Sequence, residues 1–360
     1  MTNLSSSVTD YSEFYLEFNY TDGLNITEFI PDEKTIPCTP IATSDAINIG
    51  VCAFFVQVFL LAIPGNLIVG CVIISNRRTL SPSDIYLVHL IIADTLLALI
   101  LPLSATSIML GWIFGDFMCK LVSFVKEANF YTSILFLVCI SVDRYMLIVR
   151  AMEARKAHRI FCTWTVCILV WFMGILLSLP AFYNEVFSIE GYEVQICAER
   201  FELESSDEWR LATRAMRHLL GFLLPLAVML TCYGVTVARL LRTRGFQRQR
   251  AMKVIAAVMI AFLLCWMPFH IATMVDTLLR AKLVENGCTA QRAVSFAMFV
   301  TQSLALLHCC VNPVLYAFVA EKFRKRLFRM LGRKGAFDRE VPLRSTRVTC
   351  QNSEGTSSFL

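Results

Sequence analysis

Ser133-Ile134-Leu135-Phe136-Leu137-Val138-Cys139-Ile140-Ser141-Val142 runs directly into Asp143-Arg144-Tyr145, a charged pair at the end of an apolar stretch that begins near residue 118. Charge in such a place is costly unless it faces a partner or a water-filled cavity. The stretch is one of seven, near residues 46–75, 84–109, 118–148, 160–182, 211–241, 252–279 and 291–319. Each covers the roughly 20 residues that a helix rising 1.5 Å per residue needs to cross about 30 Å of hydrocarbon. The pattern predicts an all-α membrane protein, a seven-transmembrane helix bundle followed by a short amphipathic helix.

Composition agrees. Of 360 residues, 56% are hydrophobic and 17% charged, with a mean hydropathy of +0.60; soluble domains carry about 25% charged residues. Seven spans put the two ends of the bundle's chain on opposite sides, and Lys and Arg decide which side is cytoplasmic. Arg77, Arg78, Arg150, Arg155, Lys156, Arg159, Arg242, Arg244, Arg248, Arg250 and Lys253 follow spans 1, 3 and 5, and Lys322, Arg324, Lys325, Arg326 and Arg329 open the last tail. The first 45 residues hold Lys34 against eight acids, and residues 183–208 hold Arg200 against eight acids. The chain is therefore expected in the plasma membrane with its N-terminus outside. No cleavable signal peptide is expected ahead of span 1, because the start is polar and acidic.

Four segments follow from this reading: an acidic extracellular tail (1–45), the bundle (46–319), an amphipathic membrane-surface helix (320–331) and a disordered cytoplasmic tail (332–360). Asn3, Asn19 and Asn25 open glycosylation acceptor triplets in the outer tail. Between 321 and 330, Phe323, Leu327, Phe328 and Met330 interleave with five basic residues, the pattern of a helix lying on an anionic leaflet. The inner tail is too poor in large apolar residues to fold alone. Its Ser345, Thr346, Thr349, Ser353, Thr356, Ser357 and Ser358 are candidate phosphate acceptors, and Ser358-Phe359-Leu360 suits strand addition to a PDZ-type groove.

Four of the fourteen cysteines, Cys38, Cys119, Cys197 and Cys288, map to outer positions, where two disulfides are expected in one of three pairings. Asp94 falls in the middle of span 2 and needs a cation, a proton or polar partners; Asn66, Ser133 and Asn312 are the candidates to surround it. Pro102, Pro180, Pro225, Pro268 and Pro313 are expected to interrupt five spans and serve as pivots. Arg144 beside Asp143 forms a pair able to neutralise itself. Lys126, Glu127, Arg210, Arg214, Arg217, Asp276 and Arg280 are expected to line a charged outer cavity.

Taken together, Gly65-Asn66, Leu90 to Asp94, Asp143-Arg144-Tyr145, Trp171, Pro225 with Tyr233, Cys265 to Pro268 and Asn312 to Tyr316 resemble the rhodopsin-like G protein-coupled receptors. Cys38 with Cys288, Gly111-Trp112-Ile113-Phe114-Gly115 and His308-Cys309-Cys310-Val311-Asn312-Pro313 are similar to chemokine receptors. Lys126 to Tyr131, Trp209-Arg210 with Arg214, and Asp276 to Arg280 resemble the interleukin-8-type CXC subgroup, types 1 and 2. The resemblance implies disulfides Cys119–Cys197 and Cys38–Cys288, coupling to inhibitory-class heterotrimeric G proteins, regulation by receptor kinases and arrestin, and leukocyte chemotaxis toward Glu-Leu-Arg-type CXC chemokines. It implies that the tail residues Asp10, Tyr11, Glu13 and Tyr15 grip the chemokine, whose N-terminus enters the cavity toward Gln302. It also implies a switch in which Ile134, Pro225, Phe262 and Trp266 repack while Arg144, Tyr145, Tyr233, Asn312, Pro313 and Tyr316 rearrange, and an allosteric sodium ion at Asp94. The sequence departs from the subgroup's usual pattern at Gln302, Ser104, His89 and Met146.

Two rival readings are a scavenging or arrestin-biased chemokine receptor and a seven-span ion or proton transporter. The intact Asp-Arg-Tyr triplet argues against the first. Against the second stands the expectation that spans 4, 5 and 6 carry no acidic or His residue deep within them. No enzyme is expected, since neither paired carboxylates nor a Ser with a buried base occurs at plausible spacing.

Overall fold

The computed structural model describes residues 44–75, 80–149, 156–188, 194–199, 206–241, 246–281 and 287–319. Among them are seven helices long and apolar enough to cross a membrane: Asp45–Ile74, Pro82–Leu110, Gly115–Ile148, Ile160–Tyr183, Glu208–Arg239, Met259–Arg280 and Cys288–Val314. They are called spans 1 to 7. Both tails and the surface helix expected at 320–331 lie outside the described residues.

Local chemistry explains the ends of these spans. Span 2 opens with a capping box: the Ser81 N–H donates to Asp84 Oδ2 at 2.9 Å while the Asp84 N–H donates to Ser81 Oγ at 3.3 Å. Pro82, next in line, gives up an N–H that the first turn cannot use. Span 2 ends at Gly111, whose φ of 74° suits glycine; a Cβ there would lie 2.5 Å from Val194 Cγ1. The tight turn lets the Trp112 N–H donate to the Gln195 carbonyl at 2.7 Å. Gln195 belongs to strand β2 (Gln195–Glu199), which pairs antiparallel with β1 (Asn184–Ser188), Val186 opposite Cys197. The Cys119–Cys197 disulfide then ties this hairpin to span 3.

Apolar packing centres on span 3. Phe130, Tyr131, Ile134, Phe136 and Leu137 are all at most 1% exposed, whereas Phe161, Ile168 and Leu264 point outward with about 70% exposure. Lipid is as apolar as these side chains, so cohesion between spans must come from close packing and polar contacts. Small residues supply the first. A Cβ on Gly174 of span 4 would lie 2.4 Å from Thr132 Cγ2, and one on Gly221 of span 5 would lie 2.4 Å from Phe130 Cε1.

Prolines shape the spans less uniformly than expected. Pro102, Pro268 and Pro313 sit inside helices, as does Pro64 in span 1. Pro180 does not interrupt a helix: the α-helix of span 4 ends at Leu177, and Pro180 lies in the 3-10 turn Leu179–Tyr183, where its missing N–H costs nothing. In span 5 the distortion precedes Pro225, as a π-helical segment Leu219–Leu223 between helices Ser206–His218 and Leu224–Leu241. Span 7 breaks at Leu306 and Leu307, between helices Cys288–Ala305 and His308–Val319.

The Pro313 ring leaves the carbonyl of Cys309, four residues earlier, without its helical donor. Asn66 of span 1 fills the gap, Nδ2 donating to the Cys309 carbonyl at 2.8 Å and to the Ala62 carbonyl at 2.9 Å. The neighbouring Gly65 permits it, because a Cβ there would already touch Pro313 at 3.1 Å.

Candidate functional site

Three layers run through the bundle, a charged one, an aromatic one and one around a buried carboxylate. At the disulfide-bearing end, Arg217 forks onto Glu127, Nη2 to Oε1 at 2.6 Å and Nε to Oε2 at 3.3 Å, and lies 3.7 Å from Glu199 of β2. Such bidentate contacts are the strong, directional form of ion pair. Arg214 binds Asp276 at 2.8 Å and Thr277 Oγ1 at 2.9 Å, and Arg280 binds the same Asp276 oxygen at 2.8 Å. Asp276 is fully buried, and its Oδ1 has no hydrogen-bond partner among the described residues.

Span 3 thus meets span 5 through Glu127, and span 5 meets span 6 through Asp276. Lys126, next to Glu127 in sequence, is half-buried and takes part in no hydrogen bond or ion pair among the described residues. Three cations, Arg214, Arg217 and Arg280, stand with three carboxylates, Glu127, Glu199 and Asp276, and each carboxylate is engaged. Gln302 of span 7 is exposed, and Ser104 is buried, donating to the Ile100 carbonyl at 3.4 Å. Asp10, Tyr11, Glu13 and Tyr15 lie outside the described residues, as do the glycosylation and phosphorylation candidates. Cys288 is disulfide-bonded to a residue outside them.

Below this layer lies an aromatic stack. Phe130 packs on Trp266 with ring centres 4.4 Å apart, and Phe262 follows at 6.0 Å. Ile134, Phe262 and Trp266 share one buried cluster, and Pro225 is buried nearby in span 5. His218 and His270 join spans 5 and 6, Nδ1 to Nδ1 at 2.8 Å. Both are buried, at 7% and 5% exposure, so the expectation of no acidic or His residue deep in spans 4 to 6 fails. Span 5's helix begins at Ser206, earlier than expected, which sets His218 about 18 Å along it.

The third layer surrounds Asp94, fully buried. Asn312 Nδ2 donates to Oδ2 at 2.7 Å; Asn129 Nδ2 and Ser133 Oγ each donate to Oδ1 at 3.4 Å. His308 Nε2 lies 3.7 Å from Oδ1 and 3.0 Å from Asn129 Oδ1, while its Nδ1 lies 2.6 Å from the Ala305 carbonyl. Ser133 and Asn312 therefore stand where the sequence suggests, and Asn66 does not bind Asp94. It turns instead to the carbonyl that Pro313 orphans. Asn129 and His308 are additional members, and their spacing carried the signal: 129 and 133, like 308 and 312, share a helix face.

At the far end Asp143 Oδ2 accepts from Ser83 Oγ of span 2 at 2.5 Å, and Arg144 Nε is buried without a partner among the described residues. The expected self-neutralising ion pair between Asp143 and Arg144 is not formed among the described residues, and Asp143 is tied to span 2. Ser141 Oγ lies 3.3 Å from Met259 Sδ, linking spans 3 and 6 near the same end. Trp171 Nε1 donates to His89 Nδ1 at 3.2 Å. The Tyr316 side chain is not described.

Residues 65–316 match the 7 transmembrane receptor (rhodopsin family) throughout this framework. Relatives narrow it: C-X-C chemokine receptor type 1 of Homo sapiens is 39% identical over 337 residues, covering 93% of this chain and 95% of its own. The chain belongs to the C-X-C chemokine receptor branch of the rhodopsin family. The type 1 receptor of Oryctolagus cuniculus is also 39% identical, over 92% of this chain and 93% of its own, and the type 2 receptor of that species is 37% identical over 97% of both. This is a receptor family and not an enzyme class. Within it, the receptor's three layers are a charged mouth, an aromatic relay and a buried carboxylate.

Proposed function

We propose that this receptor stands in the plasma membrane with its N-terminus outside, binds CXC chemokines of the Glu-Leu-Arg type, and activates inhibitory-class heterotrimeric G proteins to drive leukocyte chemotaxis. The observation that carries the ligand class is Lys126. A half-buried cation without a partner among the described residues calls for an anionic group from the ligand, and a Glu near a chemokine's N-terminus supplies one. The distribution of Lys and Arg along the sequence supports the orientation. The acidic tail at Asp10, Tyr11, Glu13 and Tyr15 complements a basic chemokine body.

In this reading the ligand shifts the bundle toward a state that admits a G protein, through Ile134, Phe262 and Trp266 to Arg144. Phosphorylation of the inner tail by receptor kinases recruits arrestin, and Ser358 to Leu360 bind a PDZ-type groove. Sodium binds at Asp94, where carboxylate, hydroxyl and amide oxygens form the hard donor set that such a cation prefers. These residues hold the ion, and the ion supplies the positive charge that the neutral donors around Asp94 lack.

The test is G protein activation and binding across CXC chemokines with and without the Glu-Leu-Arg motif. Lys126→Met is expected to weaken a Glu-Leu-Arg chemokine about tenfold, or ~1.4 kcal/mol. The loss should vanish against a ligand whose Glu is replaced by Gln. Equal responses to both ligand groups would overturn the ligand class.

A further inference from the structure

Between the charged mouth and Trp266 lies the His218–His270 contact, which none of the roles above uses. His218 closes the first helical segment of span 5, immediately before the π-helical Leu219–Leu223, and His270 follows Pro268 by two residues in span 6. Their Nδ1 atoms are 2.8 Å apart and their ring centres 5.0 Å. A bond between two neutral imidazoles needs one ring to donate and the other to accept, so each ring fixes its neighbour's tautomer. The two Nε2 atoms are then left, both buried and neither with a partner among the described residues. A merely cohesive contact would avoid two such orphans. Each such buried unpaired group calls for an explanation of its own.

The pair also occupies a junction. Toward the mouth, His218 lies one residue from Arg217, which holds Glu127, and one helical turn from Arg214, which holds Asp276. Toward the relay, His270 stacks on Phe222 of the π segment at 4.2 Å and lies 5.6 Å from Phe130 and 6.3 Å from Trp266. Gly221, between them in sequence, brings the span 5 backbone so close to Phe130 that a Cβ would sit 2.4 Å from its ring. A hydrogen bond weakens steeply with displacement and misalignment, so a shift of span 5 at the mouth must either carry His270 with it or break the bond.

We propose that His218 and His270 form the link by which a displacement of span 5 in the charged mouth reaches Trp266, so that the pair sets signalling efficacy and leaves ligand affinity largely unchanged. Both are positioning residues, acting through Trp266. The proposal rests on the chemokine-receptor reading for its ligand but not for its spectroscopic test.

The first arm uses the full-length receptor and interleukin-8. His218→Ala, His270→Ala and the double variant are expected to lower maximal G protein activation by about fivefold each, and no further together, as befits one shared coupling. Interleukin-8 affinity should stay within about twofold. The amide pair His218→Gln with His270→Asn, which rebuilds a donor and an acceptor, should restore activation. Losses that multiply, or affinity that falls in step with activation, would overturn the link.

The second arm needs no ligand: the receptor is labelled with 5-fluorotryptophan, and the Trp266 resonance is assigned by its loss in Trp266→Phe. His218→Ala is expected to shift that resonance, and to leave it in place when His270 is already Ala. A Trp266 signal indifferent to His218 refutes the proposal. Silence of the unsubstituted receptor toward interleukin-8, with a normal second arm, refutes the ligand assignment instead.

Discussion

At the scale of residues, Asn66 and Pro313 explain each other. The proline removes a donor from the Cys309 carbonyl, and the asparagine returns one from across the bundle at 2.8 Å. Asn66→Ala should therefore cost about 1–3 kcal/mol, the usual penalty for a buried carbonyl left unmet. It would be read as a lowered Tm of the detergent-solubilised receptor. In a Pro313→Ala background the helix supplies its own N–H, and the same substitution should cost clearly less; equal costs in both backgrounds would break the connection drawn here. Asn66 was legible as a buried polar residue but not as a partner of Cys309, because a side-chain-to-carbonyl bond spanning 243 residues leaves no local trace in sequence. The Asp94 surroundings were half legible: Ser133 and Asn312 by residue type, Asn129 and His308 only by helical spacing.

Elements show a different balance. Spans were readable because hydrocarbon forces every backbone group into helical bonds, so length and apolarity suffice. Not readable were the β1–β2 hairpin, whose five-residue strands lack a clear alternation, and the π segment, within which Gly221 packs against Phe130. Span 4 packs on span 3 through Gly174, and its prediction belongs here. Gly174→Ala would place a methyl 2.4 Å from Thr132 Cγ2, an overpacking that costs about 1–3 kcal/mol. Thr132→Ser removes that methyl while keeping the hydroxyl that donates to the Ala128 carbonyl at 2.7 Å. The double variant should recover most of the Tm lost by Gly174→Ala; a double variant no better than the single would show that the close approach is not at Thr132.

For the whole molecule, buried polar contacts tie the spans together alongside the apolar cluster centred on span 3. Asp94 joins spans 2, 3 and 7 around one carboxylate. If sodium holds the resting arrangement there, linkage requires that agonist affinity fall as sodium rises. Asp94→Asn should abolish that dependence, measured as chemokine affinity in sodium against an equal concentration of N-methylglucamine. Persisting sodium sensitivity in Asp94→Asn would place the ion elsewhere. The Asn66–Cys309 bond, finally, sets a condition on biogenesis. Span 1 is made first and span 7 last, so the amide proton meant for residue 309 waits through the synthesis of everything between. A nascent chain that stops short leaves that donor without the distant carbonyl it meets in the finished bundle. Completion of the polypeptide and sealing of its first helix are thus one event, because the Asn66 amide closes on the Cys309 carbonyl only when span 7 is in place.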